Sequence, residues 1–406
     1  MNSFGQKLFP YCGFKFINLP VFNSLLVACS TATLGSSFTD YFAIPLLIIS
    51  FIFLVAFTLI ARVRAALPNL ENYQLLWIVL LIAYCVIWAL SIQRSVGAEI
   101  SDFERPAKLA AGALVAFYLC KVGVRSWSIL LGASLYIILN FIKADFDSVR
   151  TGLGINPNAF GYLSIALSLS LFSFSVFYKG PIKLLIYGLS IIGLTVSFLS
   201  GTRGIFIVIS IFAVSFFWIY RSIFNFKGLS LVFFAILSLG VLLFQTERVQ
   251  LRWDQTVAEL ESIKQGNLNT SIGVRFYLYK IGISQGLQAP IFGASENVSD
   301  LISVYQSRNP DEIIPKEVNY HSDLHNQYID SFARRGLLGL VSFTFLLIVP
   351  IVFVKNDMRP LYLGIATTLG GGALVDTPLA SGNFLLLLGI SMSALIAMRE
   401  NAFSRQ

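Results

Sequence analysis

The chain has 406 residues, 56% hydrophobic and only 12% charged, with a mean hydropathy of +0.75. A soluble domain carries about 25% charged residues, so this composition argues against a soluble enzyme, a disordered chain or a disulfide scaffold and for a protein whose solvent is mostly a bilayer. The net charge of +8 reads as the Lys/Arg excess of cytoplasmic loops. No basic stripe interleaves with aromatics, so no nucleic-acid partner is expected.

A membrane-spanning helix needs about 20 mostly apolar residues. Twelve candidate segments follow along the chain, at 21–38, 42–61, 74–92, 107–121, 127–142, 159–178, 182–199, 204–220, 229–246, 336–354, 360–375 and 383–398. The four cysteines form no CxxC and read as small apolar residues. With the N-terminus in the cytoplasm, the inside connections hold 14 basic residues against three acids, while the short outside loops hold six against seven. The positive-inside rule then puts both termini in the cytoplasm and the segment 247–335 outside. The expected fold is an all-α polytopic membrane protein of about 12 transmembrane helices. Its parts are 1–246 with helices 1–9, the loop 247–335, and 336–406 with helices 10–12 and a short tail.

The long segment has a pattern of its own. Residues 247–265 place Val249, Leu251, Trp253, Val257, Leu260 and Ile263 on one stripe and predict an amphipathic helix lying on the membrane surface or the bundle. Residues 271–288 predict a second helix, stopped by Ala289-Pro290 and Gly293. Residues 295–320 read as turn-rich, and 321–335 as a helical lead into the tenth span. The segment is long enough to roof a cavity.

Three places carry chemistry. Ser200-Gly201-Thr202-Arg203-Gly204 puts an arginine at membrane depth, where a charge costs about 2.5–3.5 kcal/mol on insertion scales and so marks a functional candidate. A guanidinium there suits a phosphate, which it grips with two parallel hydrogen bonds; Thr202 adds a hydroxyl. Arg275 gains meaning only if the loop folds over Arg203, so that two guanidiniums share one diphosphate. His321 and His325, the only histidines, stand four residues apart and on a helix would share a face. Without a cysteine partner or HExxH they do not read as a zinc site. One of them suits a general base, since an ordinary imidazole titrates near 6.5, with Asn326 or Asp323 to orient it. No P-loop, dinucleotide fingerprint or nucleophile elbow appears, and no metal or cofactor is expected. Arg334 and Arg335 read as the charged edge of a span, the alternative being a contact with substrate phosphates.

The stretches Asn156-Pro157-Asn158, Ser200 to Gly204, Gly273-Val274-Arg275 followed by Pro290-Ile291-Phe292-Gly293, and His325-Asn326-Gln327-Tyr328 running into Gly336-Leu337-Leu338-Gly339-Leu340 stand in this order. Together they resemble the O-antigen ligase / O-antigen polymerase superfamily of bacterial membrane glycosyltransferases, over about residues 150–400. The resemblance implies a GT-C-like bundle with one large periplasmic helical loop between helices 9 and 10, in the inner membrane. It implies transfer of a glycan from undecaprenyl diphosphate to an acceptor on the periplasmic face, inverting and without metal. Arg203 and Arg275 would hold the diphosphate, His325 would deprotonate the acceptor hydroxyl, and His321, Thr202 and Asn326 would assist in substrate binding. One dominant loop and the chain length favour a ligase, whose acceptor is lipid A–core. A polymerase, whose acceptor is a second lipid-linked repeat, uses the same donor. A protein O-oligosaccharyltransferase would be longer. A lipid-linked glycan transporter is the rival from another class, weakened by the lack of charges near span centres. The sequence leaves the oligomeric state open.

Overall fold

The computed structural model describes residues 19–32, 49, 52, 70–95, 99–125, 127–144, 156–178, 180–221, 245–353 and 359–397, and every regular element among them is helical. In chain order these are α1 (Leu19–Ala32), α2 (Asn72–Arg94), α3 (Glu104–Val122), α4 (Trp127–Lys143), α5 (Pro157–Phe177), α6 (Lys183–Leu199), α7 (Gly204–Tyr220), α8 (Glu247–Lys264), α9 (Ser271–Gln288), α10 (Val298–Arg308), α11 (Gln327–Phe353) and α12 (Arg359–Gly372). After α12, Gly382–Leu386 (α13) runs through a π-helical stretch, Leu387–Met392, into Ser393–Ala397 (α14). In ten of the twelve expected segments the described residues are largely helical. The segments 42–61 and 229–246 lie almost wholly outside the described residues. Three helices, Asn72–Arg94, Pro157–Val176 and Gln327–Val352, are long and apolar enough to cross a membrane.

The core gathers around α5, which packs against α4, α6, α7 and α12. Buried serines let it sit there, because most of their hydroxyls return a hydrogen bond to the helix itself. Ser168 donates to the Ser164 carbonyl (2.6 Å) and Ser173 to that of Leu169 (2.8 Å), so no polar group is stranded. Small residues also admit close approach. A Cβ on Gly364 of α12 would stand 2.3 Å from the Ser170 backbone nitrogen. On the outer side, α2 exposes Leu75, Val79, Ile82, Val86 and Leu90, and α11 exposes Val341, Phe345, Ile348 and Val352. Each set repeats at helical spacing, the apolar stripe that a bilayer covers.

Two expectations for the long segment are corrected. Residues 295–320 hold α10, capped by Asn297 accepting the Ser299 N–H (3.1 Å), and a short 3-10 turn, Lys316–Tyr320. Residues 321–326 are not helical; α11 starts at Gln327. The segment docks on α11 through a backbone clasp. Ala294 donates to the Ala333 carbonyl (2.8 Å) and Leu337 to that of Pro290 (2.7 Å). Gly336 makes the clasp possible: it lies at φ 65°, ψ −160°, a region open to glycine almost alone, with the Ile291 carbonyl carbon 2.3 Å from where a Cβ would sit. Gly336→Ala is therefore expected to destabilise the fold by more than the ~1–3 kcal/mol of backbone strain, read as a lower thermal midpoint in detergent.

Arg334 and Arg335 are also not an exposed edge. Both are buried. Arg335 pairs with Glu296 and lies over the Trp88 ring at 4.1 Å. Arg334 pairs with Asp330 (2.9 Å) and donates to the Ser322 carbonyl (2.7 Å). Buried charge must be paired to be tolerated, and here the pairing ties the 321–326 loop to α11.

Candidate active site

Four turns meet at one end of the bundle: the start of α5, the α6–α7 junction, the loop 321–326 and the loop 373–381. The helices α8 and α9 close over them. Asn156 opens α5, its side chain accepting the Asn158 N–H (2.8 Å) with Pro157 in the first turn, where a missing N–H does no harm. Thr202 Oγ1 hydrogen-bonds the Pro157 carbonyl (3.2 Å) and Asn158 Oδ1 (3.3 Å), which fixes the α6–α7 junction to α5. Arg203 follows, at the N-terminal end of α7.

Arg203 and Arg275 are brought together. Both line one cleft of about 230 Å³, with Thr202, Gly201, Glu259 and Asp376. Arg203 Nη2 pairs with Glu259 Oε1 at 3.0 Å, and the other oxygen of Glu259 accepts the Ile272 N–H (3.1 Å) at the start of α9. Arg275 Nη1 donates to the Val375 carbonyl at 2.9 Å. One carboxylate thus occupies Arg203, while the Arg275 head reaches the loop that carries Asp376.

The histidines meet in a loop, not on a helical face. His325 is at φ 49°, the only non-glycine residue with positive φ among the described residues. Such a conformation is uncommon and persists only where the surroundings hold it. Here Asp323 Oδ1 accepts the His325 N–H (3.0 Å), Tyr279 donates to the His325 carbonyl (2.9 Å), and Asn326 caps α11 through the N–H groups of Tyr328 and Ile329. The turned backbone aims the ring so that Nδ1 lies 3.3 Å from Asp376 Oδ1 and 3.5 Å from Asp323 Oδ1, and Nε2 lies 3.0 Å from His321 Nδ1. Asn158 donates to the second oxygen of Asp376 (2.8 Å). The result is a chain Asn158–Asp376–His325–His321.

Charge in this chain is set by its surroundings. Burial favours the neutral acid in Asp376, but its hydrogen bond to His325, the charge of that ring, the Thr377 N–H and Arg275 outweigh burial and hold the carboxyl below its ordinary value. His321 is pushed down, first by burial and then by His325, so it is neutral at pH 7. Asp323, His325 and Asp376 offer three donor atoms within 4.8 Å of one another and have the donor types for a divalent ion. Their Asp oxygens already accept the N–H groups of His325 and Thr377.

Asn326 spends its side chain on the α11 cap and on the Leu374 carbonyl (2.8 Å). His325 lines a second cleft of about 260 Å³, separated from the first by Asn158, Tyr162 and Asp376, which face both. Asp376 and Glu259 were not among the residues singled out from the sequence.

Residues 188–344 match the O-antigen ligase family model (Wzy_C). The resemblance to the O-antigen ligase / O-antigen polymerase superfamily is shown by that match. The matched stretch holds Arg203, Arg275, His321 and His325, while Asn158 and Asp376 lie on either side of it. A protein of Haemophilus influenzae described as uncharacterized is 29% identical over 204 residues, covering 48% of this chain. The match spans about half the length of that relative.

Proposed function

We propose that this chain is an O-antigen ligase, moving a glycan from undecaprenyl diphosphate to lipid A–core on the periplasmic face of the inner membrane. The observation that carries the reading is the shared wall: two arginines line one cleft, and the carboxylate closing it, Asp376, also orients His325. In this reading the diphosphate lies between Arg203 and Arg275. The acceptor hydroxyl gives its proton to His325 Nε2, and its oxygen attacks the anomeric carbon from the face opposite the leaving group. The C1–O bond breaks, and undecaprenyl diphosphate departs with its electron pair and negative charge on the two guanidiniums. The anomeric centre inverts. Preorganised cations at a developing charge do the work a metal does elsewhere. The positive charge that His325 gains is balanced from the other side of the ring, where Nδ1 faces Asp376 and Asp323. His321 is the neutral partner that the acceptor hydroxyl displaces from Nε2.

The twelve-span GT-C-like topology, with both termini cytoplasmic and 247–335 periplasmic, belongs to the same proposal. It is supported by the charge asymmetry of the loops and by the site's gathering at one end of the bundle.

The test is reconstitution. Protein in nanodiscs, without nucleotide, is given undecaprenyl-diphosphate-linked glycan and lipid A–core, with and without a chelator. Glycan on lipid A–core with free undecaprenyl diphosphate, unchanged by the chelator, is the expected result. Longer lipid-linked chains with untouched lipid A–core identify a polymerase, and an intact donor throughout rejects transfer. Glu259 adds a finer expectation. Its carboxylate occupies Arg203 in the place a phosphate oxygen takes, and the pair is partly exposed. Glu259→Gln keeps an acceptor for Ile272 and removes the competing charge, so the donor KM falls by roughly two- to fivefold, the worth of an exposed pair.

A further inference from the structure

The second cleft has no part yet beyond presenting His325. It differs in chemistry from the cleft of the two arginines. Its lining offers the amides of Asn156 and Asn158, the hydroxyls of Ser322 and Thr377, and the carboxylates of Asp323 and Asp376. Its one arginine among the described lining residues is Arg105, whose side chain is exposed at the start of α3. Two carboxylates facing a single rim cation make a poor phosphate site, because like charge brought close at a binding surface costs several kcal/mol. Amides, hydroxyls and carboxylates together are both donors and acceptors, the set that matches the hydroxyls of a sugar ring. Geometry adds the direction. His325 faces this cleft and not the first, and Asp376 divides the two.

We propose that the second cleft is the acceptor subsite and that it takes an unphosphorylated sugar ring, with the nucleophilic hydroxyl directed at His325. Resting on the ligase reading above, the assignment gives the two substrates separate chambers that meet at the Asn158–Tyr162–Asp376 wall. The donor enters on the α8–α9 side, the acceptor on the side of Arg105 and the 373–381 loop. The ring recognised this way is the terminal sugar of lipid A–core or that of a second lipid-linked repeat; both present the same hydroxyl chemistry.

Binding, measured apart from transfer, tests this. Full-length protein in nanodiscs is titrated with core oligosaccharide freed of lipid and phosphate, with the same oligosaccharide carrying its phosphates, and with the lipid-linked donor. Two variants fill one cleft each: Ser322→Trp, at an exposed position lining the second, and Gln255→Trp, at an exposed position lining the first. The expected pattern is a crossed one. Ser322→Trp weakens the phosphate-free oligosaccharide by about tenfold or more and leaves the donor within about twofold, while Gln255→Trp does the reverse. Each variant's retained ligand shows that it is folded. The phosphorylated oligosaccharide binds more weakly than the phosphate-free one. Loss of donor binding in Ser322→Trp with the oligosaccharide unaffected overturns the assignment, and preference for the phosphorylated form overturns the neutral-ring part of it. Transfer assays with lipid A–core and with lipid-linked repeat then tell which molecule supplies the ring. Oligosaccharide binding in the crossed pattern without transfer to either acceptor sinks the ligase reading and leaves the subsite standing. Transfer without the crossed pattern does the opposite.

Discussion

Arg275→Ala is expected to lower transfer by about two to three orders of magnitude, the usual cost of removing one group that stabilises charge developing in a transition state. Arg203→Ala is expected to fall in the same range, with Arg275→Ala the more damaging. The reason is where each guanidinium goes. Arg203 is held by Glu259 alone among its described partners, at a partly exposed pair. Arg275 also donates to the Val375 carbonyl, next to Asp376, and its charge helps keep that carboxylate ionised. Its loss is therefore expected to strip the proposed diphosphate site of a cation and to free the loop that orients His325. Lysine at either position is expected to recover only part of the activity, because an ammonium is a point charge and cannot fork onto two oxygens. The double alanine variant is expected to cost less than the sum of the singles, since both act on one leaving group. Initial rates in nanodiscs at saturating donor check all of this, with circular dichroism to show that the helices persist. Near-normal transfer by Arg203→Ala and Arg275→Ala would remove the arginines from the diphosphate.

Arg203 and the histidines were legible in the sequence because they are chemically out of place: a charge in an apolar stretch and the only two imidazoles of 406 residues announce themselves. Arg275, one cation on a mixed helix, gained meaning only through its pairing with Arg203 across the cleft. The ends of α9 were legible too, since Ala289-Pro290 cannot continue a helix. The α10 helix was not, because Val298–Arg308 is short and mixed, and only its Asn297 cap betrays it. The i, i+4 spacing of His321 and His325 suggested a helical face, yet the positive φ of His325 folds the two rings together in a loop, at 4.8 Å between centroids. Asp376 carried no local signal at all. It is one acid after an apolar run, 51 residues from the ring it faces, and only the packing of α12 against α5 and α11 brings it there. Glu259 was one acid among several on a polar helix. Arg334 and Arg335 looked like a solvated edge because, apart from Asp330 one turn before Arg334, the groups that bury them are distant: Glu296 is 38 residues from Arg334 and Tyr84 is 251 from Arg335. Local chemistry names the candidate groups, and long-range packing chooses their partners.

His325→Ala is expected to be the most damaging single change, because it removes the base and the centre of the hydrogen-bonded chain together. General-base catalysis contributes roughly 10²–10⁴-fold, and no other described imidazole reaches Asp376. His321→Ala is expected to be milder, since it frees Nε2 of His325 without touching the Asp376 contact. The split between kcat and KM separates this arrangement from a merely structural one. A base must be unprotonated to take the acceptor proton, so transfer is expected to fall at acid pH. His321 is held below the ordinary 6.5 by burial and by its neighbour; it therefore stays neutral through pH 7 and protonates only further into the acid range. Asp376→Asn keeps the shape of the acceptor and removes the charge that balances the proton taken up in the transition state, so kcat is expected to fall without a rise in the donor KM. Fold damage would move both. A donor KM that rises along with the loss of kcat in Asp376→Asn, or activity that survives in both His325→Ala and the His321→Ala, His325→Ala double variant, would mean that the proton leaves by another route.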